Sequence, residues 1–204
     1  MCYCLGGDIM QKVRVTKDDI LNISFDMVRI NGIDNLNARR IAKELNCSVQ
    51  PIFFNFSNMD DLKKSVLIKC CDYFYEFVSN LFDEEIPPYK QVGINYIKFA
   101  KEEPNLFKLL FMSDNDLSML ENNKSVDIIK QYIGKSLPLS DFDIDSFHLK
   151  MWIFTHGLAT LVASNTINFN DQQIRDLLSY EFQALMLLEE NPNNKWVLKK
   201  GEIK

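Results

Sequence analysis

The two histidines, His148 and His156, lie eight residues apart in what reads as a single helix. On one helical face they could serve as a general base beside a nucleophile. No carboxylate stands at i+4 between them to orient an imidazole, and no nucleophile–base set suggests itself. Cys2 and Cys4 are spaced C-x-C, but no second Cys/His pair follows at zinc-ribbon distance. Cys70 and Cys71 are neighbours, hence about 100° apart on a helix, which is poor chelate geometry; they read as small core residues. None of the seven glycines falls in a G-x-G or G-x-x-x-x-G-K arrangement, and there is no G-x-S-x-G elbow or H-E-x-x-H pair. The expectation is no enzyme, no metal and no cofactor.

Composition narrows the remaining classes. The chain has 204 residues, 47% hydrophobic and 25% charged, enough to bury a substantial core. Its greasiest stretch, Ser65 to Phe82, is interrupted by Lys69, Asp72 and Glu76, so no membrane-spanning helix is expected. The first residues lack a basic and then apolar leader, and five cysteines, an odd number, suit reduced thiols. A cytoplasmic location follows as an expectation. The net charge of −5 speaks against a polyanionic partner until its distribution is read. Residues 1–64 carry nine basic and eight acidic side chains; residues 65–204 carry 14 and 20. The acidity belongs to the C-terminal part.

The elements that must position these side chains are all helical. Thr16, followed by Asp18 and Asp19, caps a helix whose apolar stripe runs Ile20, Ile23, Met27, Val28 and stops at Gly32. Asn37 caps a short helix from Ala38 to Leu45, Asn46-Cys47 makes a tight turn, and Ser48 is expected to cap a third helix with Pro51 in its first turn. Three helices within about 40 residues, the last two joined by a three-residue turn, have the geometry of a helix-turn-helix unit. A long fourth helix is expected from Met59 to about Phe82. Others follow after Pro87-Pro88 to about Glu102, from Pro104, over about Leu117 to Gly134, and over about Asp143 to Asn165 and Asp171 to Glu190. With 19 Asn and six Ala, packing rather than helix propensity must hold them.

The stretch from Ile20 to Leu62 resembles the DNA-binding region of TetR/AcrR-type transcriptional regulators. Leu36-Asn37-Ala38-Arg39-Arg40-Ile41-Ala42 is similar to the family's opening of helix two. Asn46-Cys47-Ser48 stands where Gly-Val-Ser is usual, and Ile52-Phe53-Phe54-Asn55-Phe56-Ser57-Asn58-Met59-Asp60-Asp61-Leu62 resembles the signature LYxHFxNKxxL. Phe53 replaces the usual Tyr and Met59 the Lys, removing phosphate-binding groups, while Asn55 replaces a His with an amide that can still donate; Lys63 and Lys64 lie a turn further on.

On that resemblance, double-stranded DNA is the expected partner. Ser48 is placed to donate to a phosphate and Gln50 to pair adenine, while Val49 suits a thymine methyl. Phe53 and Phe54 project from the next turn, one of them inward or against sugar. Asn37, Arg39 and Arg40 open the helix that crosses the backbone, with Asn55 and Lys63 as further contacts.

The resemblance also implies a ligand cavity in the C-terminal part, lined by Phe74, Phe77, Tyr96, Phe99, Phe107, Phe111, Met112, Trp152 and His156, suited to a hydrophobic or amphipathic effector. The last two long helices carry wide apolar faces. Phe147, Met151, Phe154 and Leu158 on one, with Leu177, Leu178, Phe182 and Leu185 on the other, are the expected homodimer interface.

The expected organisation is a flexible extension over 1–15, a helix-turn-helix domain over 16–58, an effector-binding and dimerisation domain over 59–190 and a tail over 191–204. The function it implies is a dimeric repressor released from a near-palindromic operator by a small ligand. A helical protein-interaction module that keeps the fold without specific DNA binding is the alternative; an enzyme using His148 or His156 is the more distant one.

Overall fold

Local signals start and stop the first helices. In the computed structural model, which describes residues 15–113, 131–134 and 141–189, α1 spans Lys17–Asn31. The Thr16 hydroxyl accepts from the Asp19 amide at 3.1 Å, and the Asp19 carboxylate accepts from the Thr16 amide at 2.9 Å, a reciprocal capping box. Gly32 ends the helix at φ +77°, in the left-handed region that a side chain resists. After a short 3-10 turn (Ile33–Asn35) come α2 (Ala38–Glu44) and α3 (Gln50–Asn55). The Asn37 side chain accepts from the Arg40 amide at 3.1 Å, and Asn46 turns the chain between the two at φ +48°. Ile20, Val28, Leu36, Ile41, Ile52 and Phe56 close a small apolar core beneath them.

Two expectations need correction here. Ser48 does not cap α3: Val49 takes that position in a helical conformation without any side-chain cap, and Ser48 faces solvent. The fourth helix, α4 (Met59–Ser79), opens as expected, with Asn58 accepting from the Asp60 and Asp61 amides at 2.9 Å, but ends three residues before Phe82. Its unwound end is tied by two buried amides of the next helix. Gln91 accepts from the Phe82 amide at 2.7 Å and the Asp83 amide at 3.0 Å, while Asn95 donates to the Asn80 carbonyl at 2.8 Å. Backbone groups that another helix satisfies have no need of a further turn.

That next helix, α5 (Pro88–Glu102), is the pillar of the C-terminal part: eight of its 15 residues are buried. α6 (Pro104–Phe111), α7 (Asp141–Ala163) and α8 (Asp171–Glu189) pack around it together with α4. Residues 131–134 are helical, but most of the helix expected over 117–134 lies outside the described residues, as do the tail and the Cys2–Cys4 pair. The described residues contain no strand, and no helix among them is long and apolar enough to cross a membrane. Cys70 and Cys71 are buried, and burial pushes their thiols up to about 12 and about 11, as inert core residues.

Candidate functional site

One candidate surface is built by α2, the turn and α3. Leu36, Ile41, Ile52 and Phe56 hold the pair inward, which turns Arg39, Arg40, Ser48, Gln50, Phe53 and Phe54 outward. The side chains of Arg39, Ser48 and Gln50 make no hydrogen bond with any described residue, so their donors are open to a ligand. Arg40 is partly engaged, its guanidinium donating to the Asn35 side chain at 2.9 Å.

Asn37 is occupied as the cap of α2, and the Asn55 amide donates to the Pro51 carbonyl at 2.7 Å instead of facing outward. That bond uses one of the amide's two N–H groups. Both phenylalanines face solvent: Phe53 is 48% exposed and Phe54 80%, so neither packs inward. From Ser48 to Met59 there is no charged residue. The cations flank this apolar strip instead, with Arg39, Arg40 and Lys43 on α2 and the half-buried Lys63 with Lys64 on α4.

The second candidate region is an aromatic cluster between α4, α5, α6 and α7. Phe74 meets Tyr96, Phe99 and Phe111 with ring centroids 5.1 to 5.6 Å apart, and Phe77 meets Phe99 at 5.4 Å. Phe107 and Trp152 both stack on the His156 ring, at 5.7 and 5.2 Å. The Tyr96 hydroxyl and His156 Nδ1 share a hydrogen bond of 2.9 Å. Burial lowers the His156 pKa below 6.5 and raises that of Tyr96, so the pair is neutral near pH 7. Eight of the nine side chains expected around a ligand thus come together, largely in contact with one another; Met112 is half exposed at the end of α6.

A cleft of about 240 Å³ lies elsewhere, between the start of α5 and the middles of α7 and α8, lined by Tyr89, Lys90, Gly93, Met151, Leu178 and Phe182 among others. The residues expected to form a dimer interface fall on the same inner side. Phe147, Met151, Leu158, Leu178 and Leu185 are buried within the protomer, with Phe154, Leu177 and Phe182 half-buried against its core. The outer faces of the two helices carry Trp152 and Ile153 on α7 and Tyr180, Leu187 and Leu188 on α8. The five buried side chains fill the protomer's own core and offer little surface to a second chain, while the three half-buried ones keep some.

A polar clamp that sequence reading missed joins the two regions. Arg29, at the end of α1, donates through Nε and Nη2 to the carboxylate of Glu103, which is buried between α5 and α6; the Nε contacts are 2.7 and 2.8 Å. The Tyr73 hydroxyl donates to the same carboxylate at 3.2 Å, and Asn105 donates to the Arg29 and Ile30 carbonyls at 3.0 Å. The signal available in sequence was weak: a glutamate directly before Pro104 at a helix junction. Among the described residues no cluster of three or more His, Cys, Asp or Glu could hold a metal ion.

No family model matches the chain, and no curated protein does. Solved structures do match in fold. A TetR-family transcriptional regulator from Haemophilus influenzae is 20% identical, with 82% of this chain and 94% of that one covered at a TM-score of 0.59. A TetR-like transcriptional regulator from Rhodococcus is 13% identical over 83% of this chain and 94% of that one, with a TM-score of 0.58. The multidrug binding protein EbrR, solved in complex with imidazole, is 14% identical over 80% and 88%, with a TM-score of 0.56. The chain has the fold of these proteins: an N-terminal helix-turn-helix followed by a larger helical part.

Proposed function

We propose that the protein is a TetR-type transcriptional regulator, a dimeric repressor that binds a near-palindromic DNA operator and leaves it when a small hydrophobic or amphipathic ligand binds. The observation that carries the reading is the outward face of α2 and α3, where Arg39, Ser48 and Gln50 have unused donors and Val49, Phe53 and Phe54 stand exposed. Phosphate contacts would come from the flanking cations and sequence reading from the uncharged strip. Gln50 suits adenine; Val49 and Phe54 suit thymine methyls. With so few cations the reading favours modest non-specific affinity.

A retardation assay with the DNA flanking the protein's own gene tests it. Specific binding that weakens with salt and falls on Gln50→Ala or Arg39→Ala supports it. Replacing operator thymines by uracil removes only methyl groups, and each one contacted should cost about 0.8 kcal/mol, roughly fourfold in affinity. Absence of binding even at low salt would favour the other reading, a protein-interaction module. The absence of any charged residue from Ser48 to Met59 is what favours that module.

The ligand is placed in the aromatic cluster, and the Arg29–Glu103 clamp is the route by which it reaches the DNA-binding helices. Glu103 separates α5 from α6, two helices that both supply cluster rings, and it holds the end of α1. A ligand that spreads the rings shifts Glu103 and with it α1. By reciprocity, operator DNA must weaken ligand binding by the same factor. The dimer is placed on the outer faces of α7 and α8. Leu187→Glu should then give monomers in sedimentation and weaken operator binding, whereas an unchanged oligomeric state would remove that assignment.

A further inference from the structure

We propose that the cleft between α5, α7 and α8 is a binding site for a small amphipathic carboxylic acid, separate from the aromatic cluster. Its walls are mostly apolar: Pro87 and Gly93 from α5 and its approach, Met151 from α7, Leu178 and Phe182 from α8. One cation, the half-buried Lys90, stands among them. Its ammonium donates to the Ser179 hydroxyl at 2.6 Å and forms no ion pair with any described residue.

The placement is unusual on two counts. A lysine in the first turn of a helix opposes the helix dipole, so it does nothing for α5 itself. It also has its one recorded partner in a neutral hydroxyl rather than a carboxylate, in a chain whose acidic residues outnumber its basic ones.

The other polar groups of the cleft are already committed. The Ser179 hydroxyl donates to the Arg175 carbonyl at 2.8 Å and the Thr155 hydroxyl to the Met151 carbonyl at 2.7 Å. The Tyr89 hydroxyl is bonded to His148 Nδ1 at 3.1 Å. What remains for a ligand is two ammonium donors beside an apolar trough, with the exposed Gln183 at the rim. That combination takes an anionic oxygen at one end of a hydrocarbon body. A cleft of about 240 Å³ suits a small hydrocarbon body, for which a medium-chain acid is the probe.

Titration calorimetry of the full chain with octanoate and 1-octanol tests the proposal. Octanoate should bind saturably, one per chain, with octanol about tenfold weaker or more. Lys90→Met, which keeps the length of the stem, should reduce octanoate to the affinity of octanol or below and change octanol far less. Gln183→Glu, a change at an exposed position with little risk to folding, should weaken octanoate alone by setting a second carboxylate at the rim. Absence of saturable octanoate binding to the unaltered chain would overturn the proposal, as would octanoate affinity indifferent to both substitutions, which is the outcome for an acid held in the aromatic cluster. The readout is binding to the free protein. Failure here leaves operator binding standing, and failure of operator binding leaves this site standing.

Discussion

The helix-turn-helix face and the aromatic cluster use the same kind of residue in opposite ways. On α3 two phenylalanines stand in solvent over a small buried core; between α4 and α7, Phe74 is buried against Phe99, and Phe107 against Tyr96 and Phe111. In the first region the working residues are what remains after a small core is satisfied, so identifying the core identifies the surface. In the second the working residues are themselves core, and burial alone does not distinguish a wall from a filling. The ring contacts near 5 Å favour a filling that a ligand must part.

Substitution at the two sites turns that contrast into numbers. Phe107→Ala, at a fully buried position, should cost about 3–5 kcal/mol by denaturant unfolding, while Phe54→Ala at 80% exposure should stay within about 0.5 kcal/mol. A cost near 1 kcal/mol for Phe107 would mean the cluster already encloses a void.

Next in size is the clamp between the regions. Arg29→Ala leaves the buried Glu103 carboxylate with only Tyr73 among its recorded partners, but Arg29 is 45% exposed, so a loss of about 2 kcal/mol is expected rather than the full cost of a buried pair. If the clamp carries the signal, this variant should also lose ligand-dependent release of DNA. Asn58→Ala removes the cap that starts α4 and should cost about 1 kcal/mol, read as a shift in denaturant midpoint at unchanged slope.

The smallest effect is pH-dependent. The folded His156 pKa lies below 6.5, so below that pH the unfolded chain takes up a proton that the folded one resists. Its contribution to stability is therefore present above about 6.5 and lost as the pH falls through the folded value. His156→Phe should flatten that dependence, seen by comparing unfolding midpoints at roughly pH 7.5 and 5.5.

The N-terminal helices were legible because each boundary is a local event: the Thr16–Asp19 box, Gly32 beyond α1, Asn37 before α2. The departure at Ser48 arose where the chain supplies a cap in sequence but enters α3 through a helical Val49, which puts the hydroxyl outside. The faces of α7 and α8 were harder for a different reason. Apolar residues lie on both sides of α7, with Phe147, Met151 and Leu158 inside and Trp152 and Ile153 outside, and period alone carries no sign for which side meets the protomer. Lys90 gave no signal either: charged side chains mostly face water, and its partner Ser179 is 89 positions away.

One feature of α1 reaches beyond binding. Its residues pack on α2 and α3 and more extensively on α4 and α6, with Phe25 against Tyr73 at 5.3 Å and Lys69 donating to Asn22 at 2.7 Å. The segment over 16–58 that carries the recognisable motif therefore lacks much of the surface on which its first helix is stabilised. Excised, it should be largely unfolded. In the intact chain the amides of α1 should exchange with solvent at the pace of global opening, while the short α2 and α3 open more often. The boundary drawn by the motif would then be one of heredity, and the cooperative folding unit would run across it.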